Sequence, residues 1–378
     1  MKNFVLGVTP QARSNVSSGH RVCELDGLRA FAILPVMLHH CCPKGLGYLT
    51  VLAGVGWVGV DLFFVLSGYL ITGILLDTVG SLHYYRNFIV RRTIRIFPLY
   101  YLSLALITLG ARVDPTHWSA LQSWGGAKWF LFYIGNFRAA LRNLLPPVFP
   151  FATLWSLQVE EQYYLLFPLV VAWLSPANLR RVLIGCLVFA PLLRCYLAFF
   201  VPKSGMACYT LMPCRMDTLA MGGLVAILVR SQPSVSITLG RMRLAAIVGA
   251  LSAVACIHYG ASYEDLVMRT VGFSILGATF ASVLCVIVLS KQGSFSSVLC
   301  RRPLVYTGQI AYGLYLLHVP AAGVVRGVLG LLLHRHLEPF SLPAIPILFI
   351  SSYISASLSW RYFESPILRL KDRFTYRG

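Results

Sequence analysis

The chain has 378 residues, of which 57% are hydrophobic and only 12% charged, and its net charge is +19. Soluble proteins are about a quarter charged, so this composition, with a mean hydropathy of +0.71, excludes a soluble globular domain. The positive charge does not point to nucleic acid either, because the basic residues are scattered between apolar blocks instead of gathered on one surface.

Residues 1–20 are polar and rich in Ser, Gly and Asn, with no apolar centre. They lack the form of a cleavable signal peptide, and a short mobile cytoplasmic tail is expected. Apolar blocks then follow near 25–42, 53–77, 92–111, 154–174, 181–201, 212–229, 244–260, 267–289, 305–332 and 342–362, with a weaker one at 129–137. Most approach the ~20 residues that cross a ~30 Å hydrocarbon core. With ten spans and the N-terminus inside, 20 of the 32 Lys and Arg lie inside, 9 outside and 3 (Arg29, Arg194 and Arg215) within spans. That bias follows the positive-inside rule. Treating 129–137 as a span would carry every later basic loop outside, so 112–153 reads as an outer loop that dips into the membrane. The expectation is an all-α polytopic membrane protein of about ten transmembrane helices with both termini cytoplasmic. Residues 21–368 form one membrane domain, and 369–378 form a basic tail.

The ten cysteines show no CxxC pair and no regular spacing, so no disulfide framework is expected. The run His39-His40-Cys41-Cys42 suggests a metal site at first sight. Successive helical residues point about 100° apart and cannot all converge on one ion, so no metal is expected.

Ionisable residues inside spans are functional candidates. In the first block, Arg29 and His40 are eleven residues apart, about three turns plus 20°, so they share a helix face about 16 Å apart along the axis. His39 leaves that face. Asp61 is a lone acid in an apolar run near Ser67, and it needs a partner such as Arg29 or another buried base; a structural ion pair between helices would also account for it. Arg92 and Arg95, at i and i+3, form either a forked clamp for phosphates or plain positive-inside anchoring. In LWSLQVEEQYYLLFP, Ser156, Glu160 and Tyr164 share one face and Glu161 points about 100° away. One carboxylate can orient a histidine while the other pairs with an arginine; a helix dipole also favours acids there. Arg215 and Asp217 open another span, and Gly222-Gly223 permits close packing there. Tyr312, Tyr315 and His318 follow in GQIAYGLYLLH, where His318 is either catalytic or a hydrogen-bonded structural histidine.

The segments LDGLRAFAILPVMLHH, GVDLFFVLSGYLIT, FIVRRTIRIFPLYY, LWSLQVEEQYYLLFP, RMDTLAMGGLVA, AYGLYLLH and YFESP occur in that order. Together they resemble the acyltransferase 3 family of integral membrane acyltransferases, which includes O-antigen and nodulation-factor acetylases. The likeness runs from about residue 21 to 368. It implies transfer of an acyl group, usually acetyl, from cytoplasmic acyl-CoA to a hydroxyl of an extracytoplasmic or lipid-linked glycan. The expected setting is the bacterial inner membrane, with membrane lipids around the protein.

The family's basic residue followed ten residues later by histidine falls on Arg29 and His40, not His39. Its RxxR element, linked with acyl-CoA, falls on Arg92 and Arg95. Its WSLxVEEQFY element falls on Trp155, Ser156, Glu160, Glu161 and Tyr163, with Tyr163 a conservative departure. The resemblance thus implies His40, Arg29, Glu160 and Glu161 as the catalytic set and acetyl-CoA as the donor held by Arg92 and Arg95. Asp61, Ser67, Trp155, Ser156, Tyr163, Tyr312 and His318 are expected to bind substrate or support the site. Relatives with an extra C-terminal hydrolase-like domain exist, and this chain reads as the stand-alone type. The rival class is a glycan transporter or flippase with charges lining a path, although no inverted halves are evident.

Overall fold

The computed structural model describes residues 22–40, 42, 47–231, 234–259, 262–290, 294–334 and 344–376. The expected N-terminal tail, Cys41 of the histidine–cysteine run and the last two residues lie outside the described residues. Among the described residues, ten helices of sixteen or more residues organise the chain. They are α1 (Cys23–His39), α2 (Gly59–Thr78), α3 (Tyr84–Val113), α4 (Trp155–Trp173) and α5 (Pro176–Phe200), then α6 (Met212–Arg230), α7 (Val235–Tyr259), α8 (Phe273–Ser290), α9 (Ala311–Leu333) and α10 (Ala344–Ser359). No strand occurs among the described residues.

Among the described residues, seven helices are long and apolar enough to cross a membrane: those within Tyr48–Thr78, Tyr84–Val113, Pro176–Phe200, Gly205–Arg230, Val235–His258, Met268–Ser290 and Ala311–Leu332. The apolar blocks at 25–42, 154–174 and 342–362 also form helices, as α1, α4 and α10. These are shorter or more polar and lie outside that set of seven. The outer surface is apolar. In the apolar core of α7 only 11% of the residues are buried, and Leu244, Leu251 and Val254 face outward, as do Phe199 and Phe200 on α5. A water-exposed protein does not present so large a contiguous apolar face, and the chain is a multi-pass integral membrane protein.

Hydrocarbon gives no hydrophobic drive for helices to associate, so close backbone packing and buried polar bonds hold the bundle together. The α2/α6 crossing illustrates the first. A Cβ on Gly68 would strike the carbonyl of Leu219, and one on Gly222 would strike that of Val65. The glycines face each other's helix backbones, and neither helix can move without breaking the pair. Gly222→Leu is expected to cost at least the ~1–3 kcal/mol of ordinary overpacking, read as a lowered midpoint of thermal unfolding in detergent.

Two fully buried ion pairs supply the second kind of tie. Arg215 on α6 meets Asp61 on α2 at 2.5 Å. Arg194 on α5 meets Asp217 on α6 at 2.9 Å, and Ser274 hydroxyl donates to the same Asp217 oxygen at 2.6 Å. Arg215 also lies 3.8 Å from the ring centre of Phe273, a cation–π contact of the strongest geometry.

The segment between α3 and α4 forms short helices at Pro115–Trp124, Lys128–Leu131, Gly135–Arg142 and Phe149–Ala152. It packs inward: Leu121, Trp124, Phe130, Asn136 and Phe151 are buried. The weak apolar block 129–137 is no continuous helix, because Tyr133 adopts φ 55°, a left-handed conformation that interrupts it. Asn136 is satisfied there by Gln158 of α4, whose side-chain oxygen accepts from the Asn136 backbone N–H at 2.5 Å.

Among the described residues one disulfide, Cys23–Cys300, links residues 277 apart in sequence, where no disulfide framework was expected. It ties the start of α1 to the segment before α9. Spacing along the chain could not reveal it, because the two cysteines meet only when α1 packs against 294–309. The sulfurs lie beside Glu24, with the three ligand atoms within 4.8 Å of one another, but bonded sulfurs offer no thiolate to a metal.

Candidate active site

Two adjoining cavities open within the bundle. The first, about 110 Å³, is lined by Arg29 of α1, Ser67 of α2, Arg92 and Arg95 of α3, Ser156 and Glu160 of α4, and Tyr312 and Tyr315 of α9. The second, about 90 Å³, lies at the other end of α1 and is lined by His39, His40, Trp57, Phe149, Trp155, Tyr209, Tyr263 and Tyr315. They share Val60 and Tyr315. Tyr315 is held between them by two bonds. Its hydroxyl donates to the Thr153 carbonyl at 2.7 Å and meets the Ser156 hydroxyl at 2.7 Å.

The first cavity is basic. Arg92 is half-buried and Arg95 exposed, and neither forms an ion pair or hydrogen bond among the described residues. Arg92 instead lies over the rings of Phe88 (5.6 Å) and Tyr164 (5.7 Å). Glu160 accepts from Ser67 hydroxyl at 2.5 Å and from Tyr164 hydroxyl at 3.1 Å, so the shared face of Ser156, Glu160 and Tyr164 turns into this cavity. Tyr312 donates to the Ile96 carbonyl at 2.6 Å. Arg29 pairs with Asp26 one turn earlier at 2.6 Å.

The second cavity is aromatic and holds His40. His40 Nδ1 lies 2.7 Å from Nε2 of His318, and the two rings stack with centroids 5.0 Å apart. His318 is fully buried, and its Nδ1 lies 2.9 Å from the carbonyls of both Leu314 and Tyr315. Carbonyl oxygens only accept, so His318 Nδ1 carries the proton and its Nε2 presents a lone pair. His40 Nδ1–H therefore donates to that lone pair, which leaves His40 Nε2 unprotonated, with no protein partner among the described residues. Phe149 packs edge-on against the His40 ring at 4.9 Å. His39 is used differently: its Nδ1 donates to the Ala53 carbonyl at 2.8 Å.

Several placements depart from the sequence expectations. Neither Glu160 nor Glu161 touches His40; His318 occupies the position that a carboxylate was expected to fill. Glu161 is buried and its Oε1 has no hydrogen-bond partner among the described residues. Arg29 and His40 share a helix but open on different cavities, since Val60 and Tyr315 come between them. Asp61 pairs with Arg215 through Oδ1, not with Arg29, and its Oδ2 has no hydrogen-bond partner among the described residues; it lines neither cavity. Tyr163 packs on Phe167, with ring centroids 4.5 Å apart, and lines neither cavity. Trp155 packs against Tyr209 with ring centroids 4.4 Å apart and planes tilted by 47°, in the wall of the second. The aromatic residues Trp57, Phe149, Tyr209 and Tyr263 escaped notice because they come from four distant segments; only PPVFPF carried any signal, as an interfacial aromatic cluster.

The buried ions Asp61, Asp217, Arg194 and Arg215 are consumed in pairs and line neither cavity, which does not favour a translocation path. Residues 24–361 match the acyltransferase domain of the acyltransferase 3 family, and the chain belongs to that family. It is similar to the O-acetyltransferase OatA of Staphylococcus aureus (28% identical, covering 91% of this chain and 56% of the relative). The peptidoglycan O-acetyltransferase OatA of Listeria monocytogenes is 28% identical, covering 92% and 56%. The putative peptidoglycan O-acetyltransferase YrhL of Bacillus subtilis is 29% identical, covering 91% and 54%. The chain thus spans about half the length of these curated relatives. No solved structure matches it.

Proposed function

We propose that the protein is a membrane O-acyltransferase that moves an acetyl group from cytoplasmic acetyl-CoA to a hydroxyl of an extracytoplasmic glycan, peptidoglycan being the acceptor that the relatives' names favour. The chain crosses the membrane ten times in this reading, with α1, α4 and α10 completing the seven long apolar helices and both termini in the cytoplasm of a bacterial inner membrane. Residues 21–368 form the catalytic membrane domain. The observation that carries the reading is the His318-oriented His40, which lines a cavity that adjoins the arginine-lined one at Tyr315.

Arg92 and Arg95 hold the donor's phosphates, since guanidinium forks match phosphate oxygens, and Arg29 lies deeper in the same cavity towards the thioester. His40 Nε2 takes the proton of the acceptor hydroxyl as that oxygen bonds to the thioester carbonyl carbon. The carbon–sulfur bond then breaks, and the imidazolium returns its proton to the departing thiolate. His318 keeps the His40 ring in the tautomer that can do this, and its Nε2 lone pair stabilises the imidazolium as it forms. Trp155 and the other aromatic rings suit the apolar faces of a sugar. A covalent variant has His40 Nε2 attack the thioester first and pass the acyl group on afterwards. A burst of CoA release in the absence of acceptor distinguishes the two.

Two experiments test the reading. In membranes supplied with acetyl-CoA and glycan, Arg95→Ala is expected to raise the acetyl-CoA concentration needed for half-maximal transfer; an unchanged requirement removes the clamp. His318→Ala is expected to lower kcat roughly 100-fold, the effect of misplacing a reacting group, with little change in the acetyl-CoA requirement. His318→Gln, which restores an acceptor, is expected to recover part of the loss. Equal rates for both variants and the parent would show that His40 needs no orienting partner.

A further inference from the structure

The C-terminal segment contributes to the arginine-lined end of the bundle. After α10 the chain runs through a π-turn (Trp360–Glu364) and a short helix (Ser365–Leu368) into a 3₁₀ turn at Arg369–Arg373. From there it lies along the start of α3. Arg91 Nη1 donates to the carbonyls of Lys371 (2.8 Å) and Phe374 (3.1 Å). Asn87 Nδ2 donates to the Thr375 carbonyl at 2.7 Å, and the Tyr376 ring sits 5.7 Å from the Arg91 guanidinium. These contacts strap 371–376 against the turn of α3 that bears Arg92 and Arg95.

The strap brings a further cation to the cluster. Lys371 is half-buried, and the charges of Arg95, Arg92 and Arg91 of α3 all act on it. Arg369, Asp372, Arg373 and Tyr376 are the other titratable groups on its own segment. Glu364 and Glu160 feel the arginines' charge, but Glu364 accepts from Ser359 at 2.9 Å, and Glu160 is held by Ser67 and Tyr164. Neither carboxylate is within ion-pair distance of Arg92 or Arg95 among the described residues. Positive side chains gathered at one end of the bundle match the chemistry of an anion of multiple charge.

We propose that Lys371 is a third cation of a polyphosphate-binding site whose other two are Arg92 and Arg95, and that the C-terminal strap holds it beside them through the Asn87 and Arg91 bonds. The ligand class is an organic polyphosphate, and its assignment to the CoA moiety of the donor rests on the function proposed above. Burial and the three arginines push the Lys371 ammonium down to about 6. A phosphate placed beside it favours the charged form, so binding takes up a proton above that pH, and affinity must fall as pH rises.

The test is equilibrium binding of CoA, and separately of inorganic pyrophosphate, to the full-length protein in detergent at pH 6 and pH 8. Lys371→Met is expected to weaken CoA binding about tenfold at pH 6, the effect of losing one charge-assisted hydrogen bond. Lys371→Arg keeps its charge at both pH values. It is expected to bind as the parent does at pH 6 and more tightly at pH 8; the phosphates' own titration is common to all variants and cancels. Circular dichroism of each variant verifies the fold. Unchanged CoA affinity in Lys371→Met, with weakened binding in Arg95→Ala, overturns the role of Lys371 and leaves the donor reading standing. Lys371-dependent pyrophosphate binding without CoA binding keeps the anion site and removes the donor assignment. Binding of neither anion overturns both.

Discussion

His40→Ala is expected to lower glycan acetylation by roughly 10²- to 10⁴-fold, the usual contribution of one general acid–base residue, while His39→Ala retains most of it. The contrast arises from adjacent residues with the same side chain. His40 Nδ1 is engaged by His318 at 2.7 Å, and the residue lines the aromatic cavity. His39 spends its Nδ1 on the Ala53 carbonyl at 2.8 Å, where it ties the end of α1 to the helix Tyr48–Gly54. Losing His39 removes one hydrogen bond, about 1 kcal/mol, from a loop contact. Losing His40 removes the base and leaves the buried His318 lone pair unmet. The measurement is mass spectrometry of glycan from cells carrying each variant, with protein abundance checked in the same membranes. Equal acetylation in His40→Ala and the parent would eliminate the mechanism proposed here.

Asp61→Ala is expected to destabilise the protein by about 3–5 kcal/mol, the effect of stranding one partner of a buried ion pair. Arg215 is fully buried and meets Asp61 at 2.5 Å. Its Nε and Nη1 have no hydrogen-bond partner among the described residues, so Asp61 is its main compensation besides the aromatic rings. Without it a guanidinium is left in the core of the bundle between α2 and α6. Arg215→Ala alone should be damaging for the reciprocal reason, by leaving Asp61 charged and buried. The double variant Asp61→Leu/Arg215→Met should be more stable than either single one, because matched apolar groups replace a buried pair at little cost. Thermal unfolding in detergent of the single and double variants measures this coupling. Additive losses would mean that the two groups do not stabilise each other. The expected loss of activity in Asp61→Ala then follows its abundance, since Asp61 lines neither cavity.

Composition and the apolar blocks were enough to read an all-helical membrane protein, because the bilayer imposes length and hydropathy on each segment separately. Helical phase likewise separated His40 from His39 and grouped Ser156, Glu160 and Tyr164, since residues on one helix keep their angular relation wherever the helix packs. Partnerships between helices were a different matter. Asp61 could be seen to need a base, but Arg215 lies 154 residues away and only the α2/α6 crossing, made possible by Gly68 and Gly222, brings it there. His40 could be seen to need an orienting partner, and two nearby carboxylates were the natural candidates. The packing of α9 against α1 placed His318 there instead and turned Glu160 towards Ser67. The same helix inserts Tyr315 between Arg29 and His40 and so divides one helix face between two cavities. Periodicity describes the faces that a helix offers, and the neighbour that each face meets depends on how all the helices pack at once.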